Sequence, residues 1–205
     1  MRPTRMQWEG FVMGLAPVTI GMVGLQFGLF ANALALLGVD AKPAAEGQVD
    51  PGKSVGAAGS LIAALSLVFM SFWLIIGAPF GTEGPAVEVQ VMFSAISGMY
   101  GFLFLGFGVV QMAGWDVRPV GNVALLSAIM QAIEIVVIAA RWPLNVNNIL
   151  TEIVLIVYVI ALIGFWRTTH GKQTPRVQGF LLLAAWLGTF YFMIWAGGLL
   201  PAPGS

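Results

Sequence analysis

The sequence predicts an all-α membrane protein, a bundle of six transmembrane helices forming one polytopic domain over 1–205. Three observations predict it. The composition is 59% hydrophobic and only 9% charged, against about 25% charged in an ordinary soluble domain. Six apolar runs are each near or above the ~20 residues that a helix needs to cross a bilayer. Between them lie short loops rich in proline and glycine, with no strand-like alternation of the kind a membrane β-barrel requires.

The runs are placed at about 10–37, 55–76, 89–113, 120–140, 149–166 and 177–200. The loops AKPAAEGQVDPGK, GAPFGTEGP, GWDVRP, RWPLNVNN and HGKQTP separate them. No loop is long enough for a folded soluble domain. The N-terminal MRPTRMQWEG is basic, but the apolar run after it is too long for a signal-peptide core, so it reads as a retained helix.

In the first run, Gly10 and Gly14, then Gly24 and Gly28, recur at four-residue spacing. The third has Ser94, Gly98, Gly101, Gly106 and Gly108. Small residues at this spacing let helix backbones approach closely, so a tightly packed bundle is expected. Pro17 is expected to bend the first helix or to mark its effective start. Trp8, Trp115, Trp142 and Trp166 fall at helix ends, where amphipathic rings favour the headgroup region. Trp186, Phe190, Tyr191 and Trp195 fall inside the sixth helix and are expected to pack against lipid or neighbouring helices.

The fourth run, VGNVALLSAIMQAIEIVVIAA, is about 21 residues or ~31 Å long as a helix, and it carries Gln131 and Glu134 well inside. Residues three apart share a helix face, so the two polar groups point the same way. A carboxylate at that depth costs several kcal/mol unless it is neutralised, paired or hydrated. Two readings follow: a polar anchor between helices, or the wall of a polar pathway.

Six crossings put both termini on one side. Lys42, Lys53, Arg118, Arg167, Lys172 and Arg176, with His170, fall on the opposite face, while Arg2, Arg5 and Arg141 fall on the terminal face. The more basic face is assigned to the cytoplasm of a bacterial-type inner membrane, which leaves both termini outside.

The chain has no cysteine and one histidine, which leaves too little for a zinc or iron–sulfur site. Net charge is zero, so nothing points to nucleic acid. No Ser/His/Asp set and no glycine-rich phosphate loop is present, so neither an enzyme nor a cofactor is expected.

Three stretches carry a resemblance. FANALALLGVDAKP ends the first run, and VDPGKS follows before the second. GFLFLGFGVVQMAGWDVRPVGNVALLSAI spans the third run, its loop and the start of the fourth. LTEIVLIVYVIALIGFWRTTHGKQTP spans the fifth run and the turn after it. Together they resemble the AmiS/UreI family of urea and short-chain amide channels. The resemblance implies six helices, termini outside, and a ring-shaped homo-oligomer, a hexamer with one pathway per subunit. It matches Asn32 to the family's helix-one asparagine, Phe104 to a helix-three aromatic near the constriction, and Glu152 to the acid opening helix five. Family members line a slot with Trp and Tyr on helices three and five; here the matching positions are largely Gly, Ile, Val and Leu. The family's helix-six glutamate falls near Leu181. Acid gating by external histidines has no counterpart, since His170 lies on the cytoplasmic side of the assignment.

The expected function is a passive channel or facilitator for urea or small amides. The candidate pathway residues are Asn32, Phe104, Gln131, Glu134 and Glu152; the partners are a small neutral solute, the lipid bilayer and further copies of the chain. The alternatives are an accessory subunit of a larger membrane assembly and a proton-coupled carrier of a small carboxylate, the latter motivated by Glu134.

Overall fold

The computed structural model describes residues 5–41, 48–82 and 85–196; for 5–16 and 85–86 it describes the backbone alone. Six long helices follow in chain order: α1 Arg5–Leu37, α2 Pro51–Ile76, α3 Pro85–Ala113, α4 Arg118–Arg141, α5 Val146–Thr169 and α6 Pro175–Ala196. All six are long and apolar enough to span a bilayer, and the described residues contain no strand. The chain is therefore an all-α, multi-pass membrane protein. The helices start three to five residues earlier than the apolar runs for α1, α2, α3 and α5; in α2, α3 and α5 a capping residue or a first-turn proline extends the helix. The end expected near residue 200 lies outside the described residues. α1 continues as a helix through Pro17.

The ends are built by local chemistry. Asp50 caps α2, its carboxylate accepting from the Gly52 amide at 2.8 Å, with Pro51 at the first helical position. Asn145 caps α5 by accepting from the Asn148 amide at 2.9 Å. α1, α3 and α5 each stop at a glycine of positive φ, Gly38, Gly114 and Gly171. The amide after each reaches back five residues: Val39 to Leu34, Trp115 to Val110 and Lys172 to Arg167, at 3.0, 3.1 and 2.8 Å. This left-handed stop closes all three helices at one end of the bundle.

Neighbours in sequence are neighbours in space, and α6 returns to pack along α1, so the six helices close into a ring. Adjacent helices run antiparallel. Gly28 of α1 meets Ala63 of α2, and Gly179 of α6 meets Leu37 and the Ala33 carbonyl of α1. On α3, Gly98 faces Ser71, Gly101 faces Val68 and the Ala64 carbonyl, and Gly108 faces Leu61 and the Gly56 carbonyl. The expected small-residue packing is thus spent within the chain, on the α1–α2 and α2–α3 seams. Gly10 and Gly14 lie among residues described by backbone alone. The α3–α4 seam is the thinnest in the ring.

The outer surface is aliphatic and aromatic, with Phe69, Phe72, Val136 and Phe180 all more than half exposed. That is the surface a lipid environment accommodates. Charges gather at the ends. Arg118 holds Asp116 through Nε and Nη2, and Arg141 donates to Glu88 at 2.9 Å. The Arg118 guanidinium, hydrogen-bonded to Asp116, holds that carboxyl below its usual range. Both side chains are exposed, so the pair adds little to stability.

Candidate functional site

The interior of the ring is an aromatic column. Phe80 packs on Trp195 at 5.4 Å between ring centroids, Trp195 stacks on Phe93 at 5.1 Å, and Phe93 meets Phe192 edge-on at 5.7 Å. Tyr158 follows at 6.2 Å from Phe192, and Tyr100 meets Tyr158 edge-on at 5.6 Å. Further along, Phe107 and Phe165 form a second edge-on pair at 4.8 Å. The aromatic wall comes from α3, α5 and α6, with Phe80 added from the turn before α3. The family comparison left aliphatic residues at the slot positions of helices three and five. The structure fills the interior from those two helices through Phe104, the aromatic matched above, and through Tyr100, Phe107, Tyr158 and Phe165. Of the α6 aromatics, Trp195 is buried in the column, and Trp186 packs between Phe30 of α1 and Phe190.

Two cavities lie along the axis. The larger holds about 60 Å³ and is lined by Leu25, Leu29, Asn32, Phe104, Leu162 and Gln178, among others. The smaller holds about 20 Å³, between Met22, Leu67, Met70, Ile96 and Leu155. Leu25, Tyr100 and Tyr158 line both, so the tyrosine pair and Leu25 form the wall between them. A cavity needs roughly 10–15 Å³ to hold one water, so the larger has room for a small molecule. Its surface is almost wholly apolar, because its two amides face away.

Asn32 shows why. Its Nδ2 donates to the Gly28 carbonyl at 2.8 Å and to Ser60 Oγ at 3.0 Å. Ser60 Oγ donates to Gln111 Oε1 at 2.7 Å, and Gln111 Nε2 donates back to Asn32 Oδ1 at 2.9 Å. The three side chains close a ring of hydrogen bonds that ties α1, α2 and α3. The Gly28 carbonyl can only accept, which fixes the orientation of the Asn32 amide and, through it, that of Gln111. Ser60 belongs to Gly56–Leu61, where α2 winds as a π-helix. Such widened turns re-aim side chains and recur at functional positions. Gln178 donates to the Ala161 carbonyl at 3.1 Å.

The tyrosine hydroxyls differ. Tyr158 Oη lies 2.6 Å from Thr189 Oγ1, and Thr189 spends its own proton on the Ala185 carbonyl at 2.8 Å. Tyr158 is therefore the donor. Tyr100 Oη is buried without a hydrogen-bond partner, as are both amide atoms of Gln26 and of Gln131, and Oε2 of Glu134.

Of the five residues singled out from sequence, Asn32 and Phe104 line the larger cavity. Gln131, Glu134 and Glu152 line neither. Gln131 is wholly buried on α4, Glu134 is half-buried beside it, and Glu152 is half-buried on α5. Sequence reasoning passed over Ser60, Gln111, Gln178, Tyr100 and Tyr158. The signal that found Gln131, a polar side chain inside an apolar run, also marks Ser60 and Gln111.

Among the described residues no group of acidic, histidine or cysteine side chains is arranged to hold a metal ion. No family model, curated protein or solved structure matches the chain.

Proposed function

We propose that this chain is a membrane facilitator that lets urea or small amides cross passively through the centre of its helix ring. One observation carries the reading: a cavity of about 60 Å³ on the ring axis, walled by aromatic and aliphatic side chains, with the Asn32 amide at its edge. Such a chamber suits a small neutral solute. Flat rings sieve by shape, and apolar walls penalise any ion that has shed its water. Asn32, Ser60 and Gln111 supply amide and hydroxyl groups that can exchange one of their mutual bonds for one to a passing N–H or C=O. The Tyr100–Tyr158 pair is the barrier that must part for passage.

The resemblance to the AmiS/UreI channels extends the proposal to a bacterial inner membrane, with both termini outside, and to a ring of six copies. The carboxylate-carrier alternative finds no support in this cavity, whose described lining contains no cation for an anion to meet.

The experiment is solute entry into proteoliposomes followed by stopped-flow light scattering, with urea, acetamide and glycerol. Urea and acetamide are expected to enter faster than into protein-free liposomes, with glycerol lagging. Asn32→Leu is expected to lower the rate and Tyr158→Ala to raise it. Entry no faster than into protein-free liposomes, with the protein folded, overturns the channel reading in favour of an accessory subunit.

A further inference from the structure

A groove of about 380 Å³ lies on the outer face of the α1–α2 seam, against about 60 Å³ for the larger axial cavity. Phe27, Phe30 and Ala31 of α1 line one side; Ser54, Val55, Ala58 and Gly59 of α2 line the other. The side chains themselves make the hollow. Phe27 and Phe30 stand out from α1, 56% and 40% exposed, while Ala58 and Gly59 opposite them have little or no side chain. Both belong to Gly56–Leu61, the widened turn of α2. Phe30 is braced by Trp186 of α6, with 4.9 Å between ring centroids. The floor is closed, since a Cβ on Gly59 would meet Ala31 Cβ at 2.9 Å. One residue further along each helix, Asn32 and Ser60 turn inward to their hydrogen bond. The groove shares no lining residue with either axial cavity, so it stands or falls independently of solute passage.

Its depth in the membrane follows from helix geometry. At about 1.5 Å per residue, the α2 wall runs from roughly 5 to 12 Å below the helix start at Pro51. The α1 wall lies about 9–15 Å from the helix end at Leu37. The groove therefore begins just under the polar end of the bundle and runs into the apolar span. Lys53 stands exposed at its mouth, one residue before Ser54. The ion pairs among the described residues, Arg118 with Asp116 and Arg141 with Glu88, do not involve it. Asp50, the acid on the same turn, is held by the Gly52 amide at 2.8 Å. Arg118, Arg167, Lys172 and Arg176 lie at this same end of the bundle, against Asp40, Asp50 and Asp116 among the described acids.

We propose that this groove is a binding site for one phospholipid. The upper part of an acyl chain lies between Phe27 and Phe30, over Ala58 and Gly59, and the phosphate meets the Lys53 ammonium and the Ser54 hydroxyl. The two ends of the site ask for both halves of that molecule. The walls are apolar at a depth where lipid chains run, and a long lysine side chain reaches the headgroup level from there. A basic end of a helix bundle attracts anionic headgroups. A diacylglycerol fills the walls and leaves the cation unmet; a free phosphate meets the cation and leaves the walls empty.

The test is native mass spectrometry of the purified, delipidated full-length protein in detergent, with dioleoylphosphatidylglycerol or dioleoylglycerol added. The phospholipid is expected to be retained at one per chain, and the diacylglycerol, which has the same tails without phosphate, to be retained several-fold less. Ala58→Trp fills the groove from an exposed position and is expected to lower phospholipid affinity about tenfold. Leu65→Trp, at a position 69% exposed further along α2, is expected to leave it unchanged. Lys53→Gln is expected to lower it about fivefold, the effect of one lysine near an anionic surface. Retention that Ala58→Trp does not change overturns the proposal, as surface lipid only. Equal retention of the two lipids overturns the role of the phosphate. A wild-type dimer that Ala58→Trp abolishes overturns it in favour of a second copy of the chain in the groove. The wild-type protein gives a second test that needs no variant: the phospholipid is expected to raise its melting temperature above that with diacylglycerol, and equal melting temperatures overturn the proposal.

Discussion

The Asn32 amide donates to the Ser60 hydroxyl at 3.0 Å across the α1–α2 seam, and both are linked to Gln111 of α3. Every member of this closed ring is satisfied by the other two and by the Gly28 carbonyl. In a membrane the hydrophobic effect does not hold helices together, so such bonds and close packing carry the association. Ser60→Ala and Gln111→Leu are each expected to lower stability by about 1–3 kcal/mol, because each orphans buried partners. The combined Ser60→Ala/Gln111→Leu variant is expected to lose less than the sum of the two, since the second change removes a group already orphaned by the first. Denaturant unfolding in micelles measures this; strict additivity would show that the three side chains do not act as a unit.

The two tyrosines of the central wall predict a contrast. Tyr158→Phe removes a hydrogen bond to Thr189 and is expected to cost about 0.5–1.5 kcal/mol. Tyr100→Phe removes a hydroxyl with no partner in the protein and is expected to cost less. The same unfolding measurement ranks them, and the reverse order would contradict the assignment of donors in the column.

The glycines of α3 predict a second contrast, between its two seams. A Cβ on Gly101 meets Val68 Cγ2 at 2.7 Å and the Val68 backbone nitrogen at 3.0 Å. Gly101→Ala must therefore push α2 and α3 apart, an overpacking expected to cost about 1–3 kcal/mol. Gly106→Ala meets only open seam and is expected to be neutral, or to stabilise the helix by up to about 1 kcal/mol. Thermal midpoints of the two variants decide. Equal losses would mean that the α3–α4 seam is as closely packed as the α2–α3 seam.

Much of the fold is legible from sequence, because membrane crossing is a local property. Apolar length and the glycines and prolines between runs place six helices, and the backbone must satisfy its own hydrogen bonds in lipid whatever the neighbours are. Gly24, Gly28, Gly98, Gly101 and Gly108 also announce close packing, because only a missing side chain permits it. The candidate site is less legible. Asn32 and Phe104 were reached through a resemblance, and Gln131 and Glu134 through their polarity, yet only the first two line the axial cavity.

The sequence by itself determined that the chain has six helices able to cross a membrane, where those helices lie, and that Gln131 and Glu134 inside the fourth demand an explanation. The tertiary structure alone decided which way each of them faces. These helices are apolar on all sides, since lipid and core are equally greasy, so no hydrophobic stripe reports the inward direction. Only the packed bundle joins Asn32 to Ser60 and Gln111, sets Tyr100 against Tyr158, and leaves Gln131 and Glu134 off the axial cavities.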